Sequence, residues 1–180
     1  MISIIGTAGR SKTDFLTKDI YKKMVKKTKE IIEKVFNKDP ENVFLVSGGA
    51  AWSDHIVINL YLENYITTGR LYLPAEWDFN NKRYLEVDKY NYGKHSNYYH
   101  KLFSKEVGKN TLEELDFSIK KGLEIDIQNL GFKNRNLKIA ESDYLIAFSW
   151  GKTYPSSPGT LDTWNKSKST NKIHVSLHDL

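Results

Sequence analysis

Short apolar runs that stop at glycine and give way to helical patterns recur along this chain. Val43–Val46 runs straight into Ser47-Gly48-Gly49-Ala50, and Ile2–Ile5 stops at Gly6 before Thr7-Ala8-Gly9-Arg10. A buried strand that leads through a bare backbone turn into a helix is the building unit of a parallel sheet covered on both faces. Strands are predicted at Ile2–Ile5, Val43–Val46, Leu71–Leu73, Tyr144–Phe148 and Ile173–Leu177. Between them Ile20, Met24, Thr28, Ile31, Ile32 and Val35 fall at helical spacing with lysines between, and Pro40 forbids continuation. Ser11 and Thr13 are candidate caps for that helix. A second helix is expected over Asp54–Tyr65, stopped by Gly69, and a short one over Thr160–Lys168. Right-handed crossovers then favour an α/β, Rossmann-like doubly wound parallel sheet, with strands in the order 3-2-1-4-5.

The segment from Phe79 to Leu130 breaks this rhythm. YNYGKHSNYYHKLF is rich in tyrosine and asparagine, and Leu112, Leu115, Ile119 and Leu123 are spaced as on a helix. Thr111 with Glu114 makes a capping-box pattern. The expectation is one domain over residues 1–180, with a helical lid inserted after the third strand at about 79–130.

Several function classes fall away on composition. The absence of cysteine excludes disulfides, thiolate zinc sites and a cysteine nucleophile. No metal site is expected from the five histidines. No apolar run approaches the roughly 18 residues that span a bilayer, and MISIIGTAGR does not read as a signal peptide, so no membrane partner and a cytoplasmic location are expected. A net charge of +5 favours anionic ligands without singling out nucleic acid. The lysines of KKMVKKTK read as a solvated helix face.

The glycine turns are where chemistry is expected. GTAGR (Gly6, Thr7, Ala8, Gly9, Arg10), SGGA (Ser47, Gly48, Gly49, Ala50) and SPGT (with Gly159 and Thr160) all fall at strand ends or helix starts. Glycine lets a ligand approach the backbone, and a helix N-terminus presents free N–H groups to a phosphate. Each turn taken alone is also an ordinary βα connection. Three on one rim point to an anion site where strands one and four diverge. None matches GxGxxG or a Walker A loop, so a P-loop NTPase is rejected.

Taken in order, VSGGAAWSDHIV, LPAEWDF, GFKNRNLKIAESDYLIAFSWGK and SPGTLDTW resemble the SLOG superfamily, and within it the YspA/YpsA-related group. The resemblance covers residues 1–80 and 131–180. It implies a Rossmann-like fold that binds nucleotides or nucleotide-derived molecules, among relatives that include phosphoribohydrolases, sensors of NAD-derived signals and DNA-processing proteins. It also implies a homo-oligomer. By motif, Ser47, Gly48 and Gly49 would line the phosphate or ribose region. Asp54 would cap its helix or orient the loop. Asn134 and Arg135 match the family's RN pair, with Arg135 either gripping a phosphate or holding the helix start in a salt bridge. Gly159 and Thr160 match the GT of the last helix. Two departures stand out: Ala51 and Trp52 replace an arginine-containing pair, and Thr163 stands where the phosphoribohydrolases carry a catalytic glutamate, with Asp162 one residue early. Trp52 could stack on a base or pack in the core. Glu76 and Asp78, just past the third strand, could hold ribose hydroxyls or cap the insert.

The leading expectation is a module that binds a nucleotide or NAD/ADP-ribose-like ligand as a sensor, carrier or sequestering protein. The alternatives are a nucleotide N-glycosidase, with Glu76, Asp54 or Asp162 as the acid, and a nucleic-acid binder using the tyrosines and lysines of the insert. Nucleic acid is the least favoured of these partners.

Overall fold

The fold is described by a computed structural model for residues 1–87 and 89–180. β1 (Ile2–Gly6) leads to α1 (Lys18–Glu30), which widens into a π-helical stretch at Ile31–Val35. β2 (Phe44–Ser47), α2 (Ile56–Leu62) and β3 (Thr68–Tyr72) follow. The insert holds β4 (Trp77–Asp78), β5 (Arg83–Tyr84), α3 (Tyr92–Val107) and α4 (Thr111–Lys121). The chain closes with β6 (Glu124–Asp126), α5 (Phe132–Ala140), β7 (Tyr144–Ser149), α6 (Pro158–Lys166) and β8 (Asn171–Ser176).

Six strands form one parallel sheet in the order β6-β3-β2-β1-β7-β8. The five expected strands therefore pair in the expected order, and β6 extends the sheet beyond β3. Side chains alternate across the sheet, as the pleat requires. Ile2 and Ile4 join the larger core under α1 to α4, while Ile5, Leu145 and Ala147 meet Ile139 of α5 and Trp164 of α6 on the other face. Winding proceeds outward from β1 through β2 and β3, then resumes at β7 on the other side of β1. The carboxyl ends of β1 and β7 thus splay their loops apart.

Some boundaries differ from the sequence expectations. Thr17, not Ser11 or Thr13, caps α1 by accepting a hydrogen bond from the Ile20 N–H; Ser11 and Thr13 instead bond the Asp14 carboxylate in the loop. Gly69 lies inside β3, and the chain turns after α2 at Asn64, with φ +56°. α2 is buried on nearly every side, at Ile56, Val57, Ile58, Leu60 and Tyr61, which explains its untidy stripe. At α4 the cap is Asn110, whose side chain accepts from the Glu113 N–H, so Thr111 and Glu114 form no capping box. α4 ends at Gly122, and Leu123 belongs to the approach to β6 rather than to the helix.

The insert shares the domain's core. Tyr84, Phe103 and Leu115 are fully buried in the same core cluster as residues of α1 and α2, with Phe103 edge-on to Tyr21 of α1. β4 and β5 pair as a small antiparallel ribbon. Among the described residues no helix is long and apolar enough to cross a membrane.

Candidate functional site

A cavity of about 760 Å³ opens where β1 and β7 diverge. Its volume suits a nucleotide-sized molecule. Four chain segments wall it: the loop after β1, the start of the loop before α2, the first turns of α5, and the loop and first turn of α6. A groove of about 650 Å³ lies elsewhere, lined by Arg83, Lys101 and Lys105 among others. Volume does not separate the two. The rim cavity is distinguished by buried charge and by its place at the switch point of the sheet.

Arg135 is the centre of that charge. It sits on the first turn of α5 and is only 9% exposed. Its Nη1 donates to the Gly48 carbonyl, and its Nη2 lies 3.9 Å from the Asp54 carboxylate. Its Nε has no hydrogen-bond partner among the described residues. Burial lowers the Arg135 pKa from its usual value, against the pull of Asp54. The Phe132 ring lies 5.0 Å from the Arg135 guanidinium and 5.1 Å from that of Arg10. Two cations therefore meet on one aromatic ring, and Lys133 adds a third to the cavity wall. No salt bridge joins Arg10 or Lys133 to a carboxylate among the described residues.

The Gly48–Ala50 loop explains why Arg135 can come so close. A Cβ on Gly48 would stand 2.7 Å from the guanidinium carbon, so only glycine leaves room. Asp54 orders the loop from the other side. Its Oδ2 accepts the N–H groups of Gly48 at 3.1 Å and Ala50 at 3.2 Å. Burial raises the Asp54 carboxyl above its ordinary range, opposed by Arg135 and these two N–H groups. Asp54 thus orients the loop. It is not the cap of α2, which His55 precedes without a side-chain cap.

Two helices begin at the cavity without side-chain caps. α5 follows Gly131 and α6 follows Ser157, and neither residue bonds its helix's first N–H groups. Free N–H groups and the positive ends of both helices therefore lie at the cavity. Deeper in α6, Asp162 accepts from Asn136 at 3.3 Å and from Lys166 at 2.8 Å. Partial burial works against its ionisation, but Lys166 and Asn136 prevail and hold its carboxyl below the usual range.

Of the residues singled out from sequence, Gly6, Thr7, Ala8, Arg10, Ala50, Asp54, Arg135, Gly159, Thr160 and Asp162 line this cavity. Gly9, Ser47, Gly48, Gly49, Glu76 and Asn134 do not. Gly9 faces the Trp52 ring, and Trp52 is itself buried in the core. Ser47 is buried and donates its hydroxyl to the Asp54 carbonyl. Gly48 and Gly49 act from behind the wall, through Arg135 and through the insert. Glu76 is exposed, with its carbonyl accepting from the Leu85 N–H. Asn134 is exposed and donates to the Leu130 carbonyl. Its neighbour Asn136 faces the cavity instead, together with Phe132 and Lys133 of the same motif, which were not singled out, with Ser156, and with Ser157 of the SPGT turn. Helical geometry was the missing signal: residues 132, 135, 136 and 139 share one face, and 134 does not. His174 and His178 stand four apart in sequence, but on β8 and the turn after it rather than on one helix.

Comparison with known proteins gives one curated relative. The chain is 36% identical over 181 residues to "Uncharacterized protein R261" of Acanthamoeba polyphaga mimivirus, across 98% of this chain and 95% of that one. No family model and no solved structure matches.

Proposed function

We propose that this chain, which belongs to one family with the mimivirus protein R261, binds a nucleotide or nucleotide-derived small molecule of the NAD or ADP-ribose kind. It holds that ligand in the rim cavity as a sensor, carrier or sequestering protein, in the manner of a SLOG domain. The observation that carries this reading is the buried Arg135 guanidinium with its Nε unpartnered, beside two uncapped helix N-termini. A phosphate would meet the free N–H groups and the guanidinium, whose hydrogen-bonding capacity is only partly used by Gly48. Arg10 and Lys133 add charge at the wall, and Asp162 with Asn136 offers acceptors and donors for hydroxyl groups.

The test is a thermal-shift and calorimetric screen with AMP, ADP-ribose and NAD. A ligand at about 100 times its dissociation constant adds about 2.7 kcal/mol. At about 2–4 °C per kcal/mol for a chain of this size, that is a rise of roughly 5–10 °C in Tm. Arg10→Ala and Lys133→Ala, both at the cavity wall, should each weaken binding about tenfold, a loss of about 1.4 kcal/mol. No shift with any of the three compounds overturns the reading.

A second reading, hydrolysis of a nucleotide N-glycosidic bond, is favoured by one observation. Asp54 lines the cavity, and burial raises its carboxyl above the ordinary range, so the carboxylate held there takes up a proton more readily than a free one and can pass it to a departing base. Incubation with AMP or NAD, followed by chromatography, should then show released base that Asp54→Asn abolishes. Intact nucleotide in the wild-type incubation removes this second reading.

A further inference from the structure

The insert is expected to cover a ligand as a lid, yet its buried hydrogen bonds run to the back of the cavity wall. The Gly49 carbonyl accepts two hydrogen bonds, from the Tyr84 hydroxyl at 2.6 Å and from His100 Nε2 at 3.0 Å. A carbonyl only accepts, so His100 carries its proton on Nε2. Its Nδ1 must then accept, and the Thr111 hydroxyl lies 2.9 Å away as donor. Ser104 donates in turn to Thr111 at 2.8 Å and receives the Thr111 N–H at 3.0 Å. Every member of this chain is fixed by the next, and Tyr84, His100 and Thr111 are completely buried.

Gly49 stands next to the residue that receives Arg135, and its φ of +67° is one that few other residues adopt. Asp54 holds the N–H groups of Gly48 and Ala50, and with the Gly49 carbonyl unheld on the other side the glycine pair would still sample further conformations. The Gly48 carbonyl would then leave the guanidinium.

We infer that Tyr84 and His100 are positioning residues: the insert is a brace that pins the Gly49 carbonyl and thereby sets Gly48 and Arg135 in place for the ligand. Its effect on ligand binding rests on the nucleotide reading above; its effect on the loop does not. The tyrosine-rich segment thus acts on the cavity from beneath as well as from its rim, where Tyr99 lies 5.2 Å from the Arg10 guanidinium.

Amide hydrogen exchange on the intact chain tests the brace without any ligand. Tyr84→Phe keeps the ring and removes one donor. It should raise exchange at Gly48 and Ala50 about tenfold and leave Leu145 and Ile146 of β7 unchanged. His100→Leu should do the same, and His100→Gln, whose amide can still donate to Gly49, should restore slow exchange. Calorimetry with ADP-ribose then reads the consequence, about tenfold weaker binding in Tyr84→Phe, with His100→Gln closer to wild type than His100→Leu. Unchanged exchange at Gly48 and Ala50 in Tyr84→Phe overturns the brace. So does faster exchange there with undiminished ADP-ribose binding, because the loop would then not set the guanidinium. If the wild-type chain binds no nucleotide while Tyr84→Phe still loosens the loop, the nucleotide reading falls and the brace stands as a hold on Arg135.

Discussion

Asp54 carries a negative charge into a place where water cannot compensate it, and three donors share that task. Two are backbone N–H groups at hydrogen-bond distance, and the third is the more distant Arg135. An asparagine here keeps an oxygen for the two N–H groups but leaves the buried guanidinium without a counter-charge. Breaking a buried ion pair from one side costs about 3–5 kcal/mol, and at 3.9 Å the lower end applies. Asp54→Asn should therefore lose about 3 kcal/mol in urea unfolding, and an anionic ligand should recover part of the loss. A deficit within error of zero would show that Arg135 does not depend on this carboxylate. At this scale the sequence was informative about residue type and blind to direction. Arg135 and Asn134 are adjacent in the RN pair, yet one turns into the cavity and the other bonds the Leu130 carbonyl outside it. Only the phase of α5, fixed by its start after Gly131, separates them.

Among elements, the contact of α3 and α4 with α2 carries an acid sensitivity. His55 on the approach to α2 bonds Glu114 of α4 at 2.9 Å, and His100 of α3 lies beside it. Burial pushes the His100 pKa down to about 3, and burial also lowers that of His55 despite Glu114. In the unfolded chain both would take a proton near pH 6.5, well before the folded chain does. The stability His100 contributes is thus complete above about pH 6.5 and is lost as pH falls toward 3, by up to about 1.4 kcal/mol per unit, and His55 adds a loss of the same sign. Urea midpoints measured from pH 7 to 4.5 should fall steeply, and His100→Gln should make the slope clearly shallower. A flat profile in the wild type would mean that neither imidazole is held neutral. The sequence disclosed α3 and α4 as helices but not what ends them. Helical spacing continued to Leu123, while Gly122 with φ +119° had already closed α4. The alternation of Leu123, Ile125 and Ile127 was the overlooked mark of β6.

For the molecule as a whole, the insert is structural before it is anything else. Tyr84, Phe103 and Leu115 are fully buried and would leave a large apolar hollow over α2. A chain with residues 79–123 replaced by a short linker should show no cooperative urea transition and should lose its near-ultraviolet circular dichroism. A sharp transition in that chain would make the insert a separable appendage. The order of the five expected strands was legible because each is a short, largely apolar run next to a turn or helix signal, and handed crossovers leave few ways to connect them. The core contribution of the insert was not legible, because YNYGKHSNYYHKLF reads as polar while Phe103 and His100 fall on its one buried face.

β6 gives the sheet a delayed edge. The chain leaves β3 at Tyr72 and comes back to pair with it only at Glu124, after about fifty intervening residues. Closing so long an excursion for a strand of three residues is slow and returns little, so this seam should be the last to zip during folding and the first to part under proteolysis.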